Sequence, residues 1–328
     1  MREYELEVLD QYDMELCSTR KIRGAFFCET DRGSLLLKPV SFSEKKVPLL
    51  MKLCEHLEQN GAFHVDTPVL TRDGTGLATY PGGGRYLLKK WFSGRECDVR
   101  RETDLLAAVG NLARLHGQMF WTDEELTPSV GRDLRDEFLS HNRELKKVRA
   151  FIRKRTLKGD FELLYLKCFE EMFELAQTAY ENLQASSYET LYQKSLEEKR
   201  LVHGDYNYHN VLFLSDQVAT TNFEQFHIDV QMADFYYYFR KVMEKHQWDC
   251  GLGMKLLEEY DRVRRLEKKE LEYLAIRLSY PEKFWKIANS YYHSNKAWMP
   301  EKNMEKLRIC IAQTEARKGF VKTFSDEL

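Results

Sequence analysis

The chain has 328 residues, of which 43% are hydrophobic and 31% charged, a balance that predicts a soluble, globular protein with one large core or two lobes. Its net charge of −2 provides no overall basic field, which argues against a nucleic-acid-binding protein. No apolar run reaches membrane-spanning length, and the acidic N-terminus predicts no secretory signal. Seven cysteines without a C-x-x-C pair favour reduced cytosolic thiols over a zinc site or a disulfide framework.

The first part of the chain has the pattern of a small, strand-rich unit. Two runs of β-forming residues, 22–30 and 34–40, are joined by a Thr-Asp-Arg-Gly turn. Lys38 emerges from the apolar second run, where kinases carry the lysine that contacts the α- and β-phosphates of ATP. The alternative is a strand-end lysine that reaches out to water. We favour the phosphate role because of the loop that follows downstream.

The hairpin turn 18–24, which precedes Lys38, is predicted to cover the phosphates. It reads Ser-Thr-Arg-Lys-Ile-Arg-Gly, with three cations and one glycine, and Arg23 is its candidate nucleotide contact. This turn is not a G-x-G-x-x-G loop, so the close approach of backbone to phosphate that such glycines permit is missing from the pattern.

A helix is predicted from Ser43, a suitable N-cap, to the Asn60-Gly61 stop. In kinases this helix supplies a glutamate to the phosphate-binding lysine. Glu44 and Glu55 are both candidates for that role, and the more common alternative for each is a place on a solvated helix face.

A second hairpin, 77–91, leads into Lys-Lys-Trp-Phe-Ser-Gly-Arg-Glu at 89–96. Its Pro-Gly-Gly-Gly turn precedes a strand and not a helix, so it is no phosphate loop. At this place kinase-like folds pass from the small lobe to the large one, and groups there meet adenine, which makes Trp91 a candidate cofactor contact. The predicted domains are therefore residues 1–93 and residues 94–328, the second mostly helical.

One stretch, 201–224, carries the strongest chemical signal. His203-Gly204-Asp205 follows an apolar run, Asn210 comes five residues after the aspartate, and a tight hairpin follows over 211–223. Phosphoryl transfer needs a carboxylate that accepts a proton from the attacking hydroxyl, and oxygen ligands for Mg²⁺. Asp205 is the candidate catalytic base and Asn210 a candidate metal ligand.

The loop His-Gly-Asp, four residues, Asn resembles the catalytic loop of aminoglycoside phosphotransferases and choline kinases, relatives of the protein kinases. The resemblance implies an α+β, two-lobed protein kinase-like fold, with a small β-rich N-lobe and a larger, mostly helical C-lobe. It also implies ATP and Mg²⁺ as cofactors.

The metal position departs from the pattern of active relatives, in which an aspartate follows the loop asparagine by about a dozen residues. Asn222 stands twelve residues after Asn210, and Asp234, the next landmark, twelve after Asn222. Asp229 would require the hairpin to overshoot. An amide can bind Mg²⁺ but brings no charge. Glu224, two residues on and on the same strand face by period 2, is a further candidate metal ligand.

Several segments together resemble the CotS-like spore coat proteins: 89–97, the HGDYNYHNVL loop, Thr221-Asn222-Phe223 and 239–245. This resemblance implies synthesis in the mother-cell cytoplasm, then association with the spore coat and other coat proteins. Three functions compete: a coat protein with weak or absent catalysis, a working small-molecule or protein kinase with Asp205 as base, and a nucleotide-binding scaffold without turnover.

Overall fold

The computed structural model describes residues 4–294 and 301–326. The chain divides into two compact units, Met1–Ser129 with Lys199–Ile228, and Val130–Glu198 with Asp229–Leu328. The predicted α+β class is confirmed, since a small antiparallel sheet at the N-terminus is followed by a mostly helical part. These units divide the chain differently from the lobes proposed above, and the lobe boundary near residue 93 stays a prediction. No helix in the described ranges is long and apolar enough to cross a membrane.

The strands of the described ranges all belong to the first unit. They are β1 (Leu16–Ile22), β2 (Ala25–Thr30), β3 (Gly33–Pro39), β4 (His64–Val65), β5 (Leu77–Thr79), β6 (Arg85–Lys90), β7 (Arg95–Glu96), β8 (Leu201–Val202), β9 (Val211–Phe213), β10 (Val218–Thr220) and β11 (His227–Ile228).

The first unit also contains α1 (Val47–Gly61) and α2 (Glu102–Gln118). The second unit contains the remaining helices of the described ranges: α3 (Leu134–Lys154), α4 (Asp160–Ala185), α5 (Tyr188–Glu197), α6 (Met232–Lys245), α7 (Cys250–Val263), α8 (Lys268–Ser279), α9 (Glu282–His293), α10 (Glu301–Ala312) and α11 (Thr314–Asp326).

The main sheet has the order β1-β2-β3-β6-β5 and is antiparallel throughout. In the β3–β6 pair, Leu36 lies opposite Lys89 and Lys38 lies opposite Leu87. Opposed residues share a face of the sheet, and residues two apart on one strand do as well. Lys38 and Lys89 are therefore diagonal neighbours on one face, and both can reach the same point above it.

The other face of this sheet carries its hydrophobic core. Phe26 and Leu37 pack there with Leu88 and with Val8 and Tyr12 of the N-terminal segment. Burying such side chains stabilises the unit by roughly 1.5–3 kcal/mol each. The face that carries the two lysines therefore belongs to a sheet whose opposite face is fixed by packing against the N-terminal segment.

The catalytic-type hairpin is shorter than predicted. The second strand of the hairpin predicted over 211–223 begins at Val218 and ends at Thr220, because Asn222 adopts a left-handed conformation (φ 69°) that no regular strand accommodates. Phe223–Gln225 then form a 3₁₀ turn. Glu224 therefore does not share a strand face with Asn222, and the period-2 argument for its position was wrong.

Two helix predictions also need correction. The helix expected from Ser43 starts as a 3₁₀ turn, Glu44–Lys46, and becomes α-helical at Val47, with a proline in its first turn. Near the C-terminus the sequence pattern also predicts one helix over 303–318, but the structure has two, α10 and α11, with a break at Gln313, whose side-chain amide donates to the Glu244 carbonyl.

Candidate functional site

The His-Gly-Asp segment is held in place by hydrogen bonds and by one glycine. The buried His203 ring donates from Nε2 to the Thr221 carbonyl (3.0 Å) and accepts from the Asp205 backbone N–H at Nδ1 (3.1 Å). Gly204 has φ +81°, and a Cβ there would lie 2.3 Å from the Gln225 carbonyl oxygen. Only glycine satisfies both conditions without a backbone shift. The motif thus fixes the backbone from which the Asp205 side chain projects.

The Asp205 carboxylate is half-buried and bracketed by two amides. Asn207 Nδ2 donates to Oδ1 at 3.0 Å, and Asn210 Nδ2 donates to Oδ2 at 3.1 Å. Both amides also bond to the Asp205 carbonyl. These contacts orient the carboxylate, which is what a proton acceptor for an incoming hydroxyl requires.

Asn222 is the junction of the site. Its Nδ2 donates to Asn210 Oδ1 (2.8 Å), and its backbone N–H donates to Asp66 Oδ2 (2.7 Å). Its Oδ1 accepts from two ammonium groups, Lys38 Nζ at 3.0 Å and Lys89 Nζ at 2.9 Å. A continuous hydrogen-bonded chain therefore joins Lys38, Asn222, Asn210 and Asp205.

Lys89 lies at the base of this site, 1% exposed. Besides Asn222, its ammonium contacts Asp66 Oδ2 at 2.6 Å and Glu224 Oε1 at 2.5 Å. An ammonium has three N–H donors, and three acceptors meet it here. Lys38, less buried, lies 3.5 Å from the same Glu224 oxygen.

The charges of this cluster are set by mutual contact against the cost of burial. Burial opposes the negative form of Glu224, but the ammoniums of Lys89 and Lys38 lower the pKa of this carboxyl to about 2. Burial raises the pKa of Asp66, against the attraction of Lys89. Burial would lower the pKa of Lys89, but Asp66 and Glu224 raise it above its usual value. Lys89 is therefore positively charged, and at least one of the carboxylates that it contacts, that of Glu224, is negatively charged.

The donor set near Asn222 does not fit Mg²⁺ as it is arranged. Mg²⁺ requires oxygen ligands at about 2.0–2.1 Å, mostly from carboxylates and water. The Asn222 and Glu224 oxygens each accept from an ammonium, and the Asn210 oxygen accepts from the Asn222 amide. A metal ion bound to all three would have to displace the Lys89 ammonium. Metal binding by Asn210, Asn222 and Glu224 therefore stays a prediction, and it requires that the metal ion displace the Lys89 ammonium.

The two other predicted cofactor contacts, Arg23 and Trp91, lie outside this chain of hydrogen bonds, and the Lys89 ammonium lies 6.0 Å from the centre of the Trp91 ring. Arg23, exposed at the β1–β2 turn, forms a two-pronged ion pair with Glu96 at 2.8 and 3.0 Å. Glu96 also contacts His209 Nδ1, at 2.7 Å. Trp91 donates its backbone N–H to the Ser34 carbonyl and packs on a small apolar cluster of β2 and β3. Their nucleotide contacts stay predictions.

Neither of the two glutamates proposed as partners of Lys38, Glu44 and Glu55, contacts it in the structure. Glu44 accepts the backbone N–H groups of Gly76 and Leu77, and Glu55 is exposed. The carboxylate beside Lys38 is Glu224 instead.

Two residues of the site, Asp66 and Lys89, were missed. Asp66 follows β4, and the next residues, 67–69, run along β6, with the Lys90 N–H donating to the Thr67 carbonyl at 2.9 Å. One signal existed: Lys89 keeps the same period-2 face as Leu87, an inward position for a charged residue.

Comparison with known proteins finds a spore coat protein of similar sequence and several phosphotransferases of similar structure. Spore coat protein S of Bacillus subtilis (strain 168) is 24% identical over 327 residues, which cover 96% of this chain and 92% of that protein. An aminoglycoside phosphotransferase from Alicyclobacillus acidocaldarius matches in structure with a TM-score of 0.86 at 18% identity, over 98% of this chain and 95% of that one.

Two further solved structures share the fold. A spectinomycin phosphotransferase, solved in complex with ADP and its antibiotic, has a TM-score of 0.70 at 10% identity, over 96% of this chain and 97% of that one. A microcompartment-associated aminopropanol kinase has a TM-score of 0.66 at 12% identity, over 97% of both chains. The predicted kinase-like fold is thereby confirmed.

The resemblance to spore coat proteins is confirmed as well. The family model described as "Spore coat putative kinase YutH" matches residues 5–324. Since this match covers nearly the whole sequence, the chain belongs to that spore coat family.

Proposed function

We propose that this protein works in the spore coat as a kinase-like protein whose phosphotransfer activity is weak or absent. It is made in the mother-cell cytoplasm and then joins other coat proteins. The family match and the coat protein relative support the location. The kinase-like fold is retained as a scaffold for that role.

The observation that carries the catalytic half of this proposal is Asn222. It stands where active relatives are expected to have a metal-binding carboxylate, and its side-chain oxygen accepts from the ammoniums of Lys38 and Lys89. A neutral amide engaged in this way offers a metal ion little charge. Electrostatic help to the transferring phosphoryl group, usually the largest contribution to such catalysis, is correspondingly reduced.

The test separates catalysis from coat assembly with one variant and one matched control. Asp205→Ala removes the candidate base, and Asp216→Ala changes an exposed acidic residue in the turn of the same hairpin. We expect wild type and both variants to release phosphate from ATP and Mg²⁺ at the same background rate. Fluorescent fusions of all three should reach the coat equally.

Two alternatives predict different results. A working ATP- and Mg²⁺-dependent kinase is favoured by the bracketed Asp205 carboxylate; it predicts turnover in wild type and Asp216→Ala that falls about 10²–10⁴-fold in Asp205→Ala. A nucleotide-binding scaffold is favoured by Lys38, whose side chain keeps 35% of its surface exposed. It predicts ATP binding without turnover, weakened by Lys38→Ala. Failure of Asp205→Ala to reach the coat would contradict a purely structural coat role.

A further inference from the structure

We propose that the Lys89 ammonium is the resident cation of this site and takes the place of a divalent metal ion. The inference rests on the proposed function only in treating the site as kinase-like. It concerns which cation neutralises the acidic residues beside Asn222.

Three oxygens, one from Asp66 and two from the segment 222–224, converge on the Lys89 nitrogen. Asp66 Oδ2 lies at 2.6 Å, Glu224 Oε1 at 2.5 Å and Asn222 Oδ1 at 2.9 Å. Two carboxylates and one amide are a ligand set that suits a hard cation. The ammonium occupies the point that such an ion would need.

Burial makes this occupation difficult to reverse. The side chains of Lys89 and Asp66 are 1% and 2% exposed, and that of Glu224 is 6% exposed. If Lys89 left the cluster, the buried carboxylates of Asp66 and Glu224 would have lost the ammonium that neutralises them. A metal ion that entered would have to approach two ammoniums, because Lys38 also contacts the Asn222 oxygen.

The β3–β6 register explains why the ammonium can reach this point. Lys89 stands opposite Leu36 and Lys38 opposite Leu87, so both lysines project from the same face. The Asn222 N–H donates to Asp66 Oδ2 at 2.7 Å, which holds Asp66 beside the segment that carries Glu224. The site is therefore supplied with its cation by the sheet itself.

The decisive experiment exchanges this cation. Methionine has the length of lysine without its terminal nitrogen, so Lys89→Met removes the ammonium and leaves the three oxygens. Lys90→Met is the matched control, because Lys90 is exposed and pairs with Glu58 at 2.9 Å. All proteins carry His141→Ala, since Glu137, His141 and Glu282 lie close enough together to hold a metal ion of their own.

Mn²⁺ binding is measured by electron paramagnetic resonance, without nucleotide. We expect Lys89→Met to bind one Mn²⁺ at least tenfold more tightly than the His141→Ala parent protein or its Lys90→Met derivative, and Mg²⁺ to compete. If the His141→Ala parent protein itself binds Mn²⁺, and if Asp66→Asn weakens that binding, the proposal is overturned. So would a folded Lys89→Met protein with no gain in Mn²⁺ affinity.

A second measurement uses the unaltered chain and does not depend on whether the variant folds. ATP affinity is determined in EDTA and in excess Mg²⁺. ATP affinities that agree within about twofold in the two buffers support Lys89 as the cation. An ATP affinity at least tenfold higher in Mg²⁺ than in EDTA contradicts it. No ATP binding, together with Mn²⁺ binding by Lys89→Met alone, would refute the nucleotide-scaffold function and still support this proposal.

Discussion

Replacing Lys89 by methionine should destabilise the protein far more than the same change one residue later. Lys89 is 1% exposed and bonded to two buried carboxylates, and removing one partner of such a cluster costs about 3–5 kcal/mol. Lys90 has a side chain 50% exposed, paired with a Glu58 side chain that is 32% exposed. A surface pair of that kind contributes about 0–1 kcal/mol.

The assay is urea unfolding at pH 7 in EDTA, followed by circular dichroism for wild type, Lys89→Met and Lys90→Met. The cost of Lys89→Met should also depend on pH. In wild type the pKa of Glu224 is lowered from 4.5 to about 2, so this carboxylate contributes stability above pH 4.5 and loses it as the pH falls towards 2. The gap between wild type and variant should therefore narrow over that range. Equal losses of unfolding free energy for the two variants at pH 7 would show that Lys89 is not held by a buried ion cluster.

Three further predictions concern other positions. Gly204→Ala should lower the unfolding free energy by about 2 kcal/mol or more, because φ is +81° and a Cβ would meet the Gln225 carbonyl. The control Gly117→Ala, in open space on α2, should be neutral or slightly stabilising. Both are measured by urea unfolding, and similar losses for the two variants would contradict the prediction. Burial lowers the pKa of His141 from 6.5 to about 4, so wild type should lose stability as the pH falls from 6.5 to 4, and His141→Gln should show a flatter profile in thermal melts; parallel profiles would count against the shift. Arg23→Ala should change unfolding free energy by less than about 1 kcal/mol, because its ion pair with Glu96 is exposed, so a larger loss would show that the hairpin turn is a structural clamp.

The residues of the site that are easiest to find from the sequence are those joined by short spacing. Asp205, Asn210 and Asn222 belong to one loop and hairpin, and hydrogen bonds join them in the structure. Lys38 comes from a distant strand, and the resemblance to kinases was needed to place it there. In the structure its Nζ donates to Asn222 Oδ1 at 3.0 Å, and its contact with a phosphate stays a prediction.

The parts that sequence reasoning did not find depend on long-range register. Lys89 and Asp66 meet only because β3 pairs with β6 and residues 67–69 run beside β6. An isolated strand lysine is ordinarily interpreted as reaching out to water. Glu224 was named, but for a strand that in fact ends at Thr220. The left-handed Asn222, which turns Glu224 towards Lys89, gives no periodic signal.

The most direct test of the account is a crystal structure of the wild-type protein grown with ATP and excess Mn²⁺, with diffraction recorded at the manganese absorption edge. We expect Lys89 Nζ between Asp66 and Glu224, and no anomalous peak within bonding distance of Asn222 or Glu224. An anomalous peak coordinated by Asn222 and Glu224, with Lys89 displaced, would contradict it.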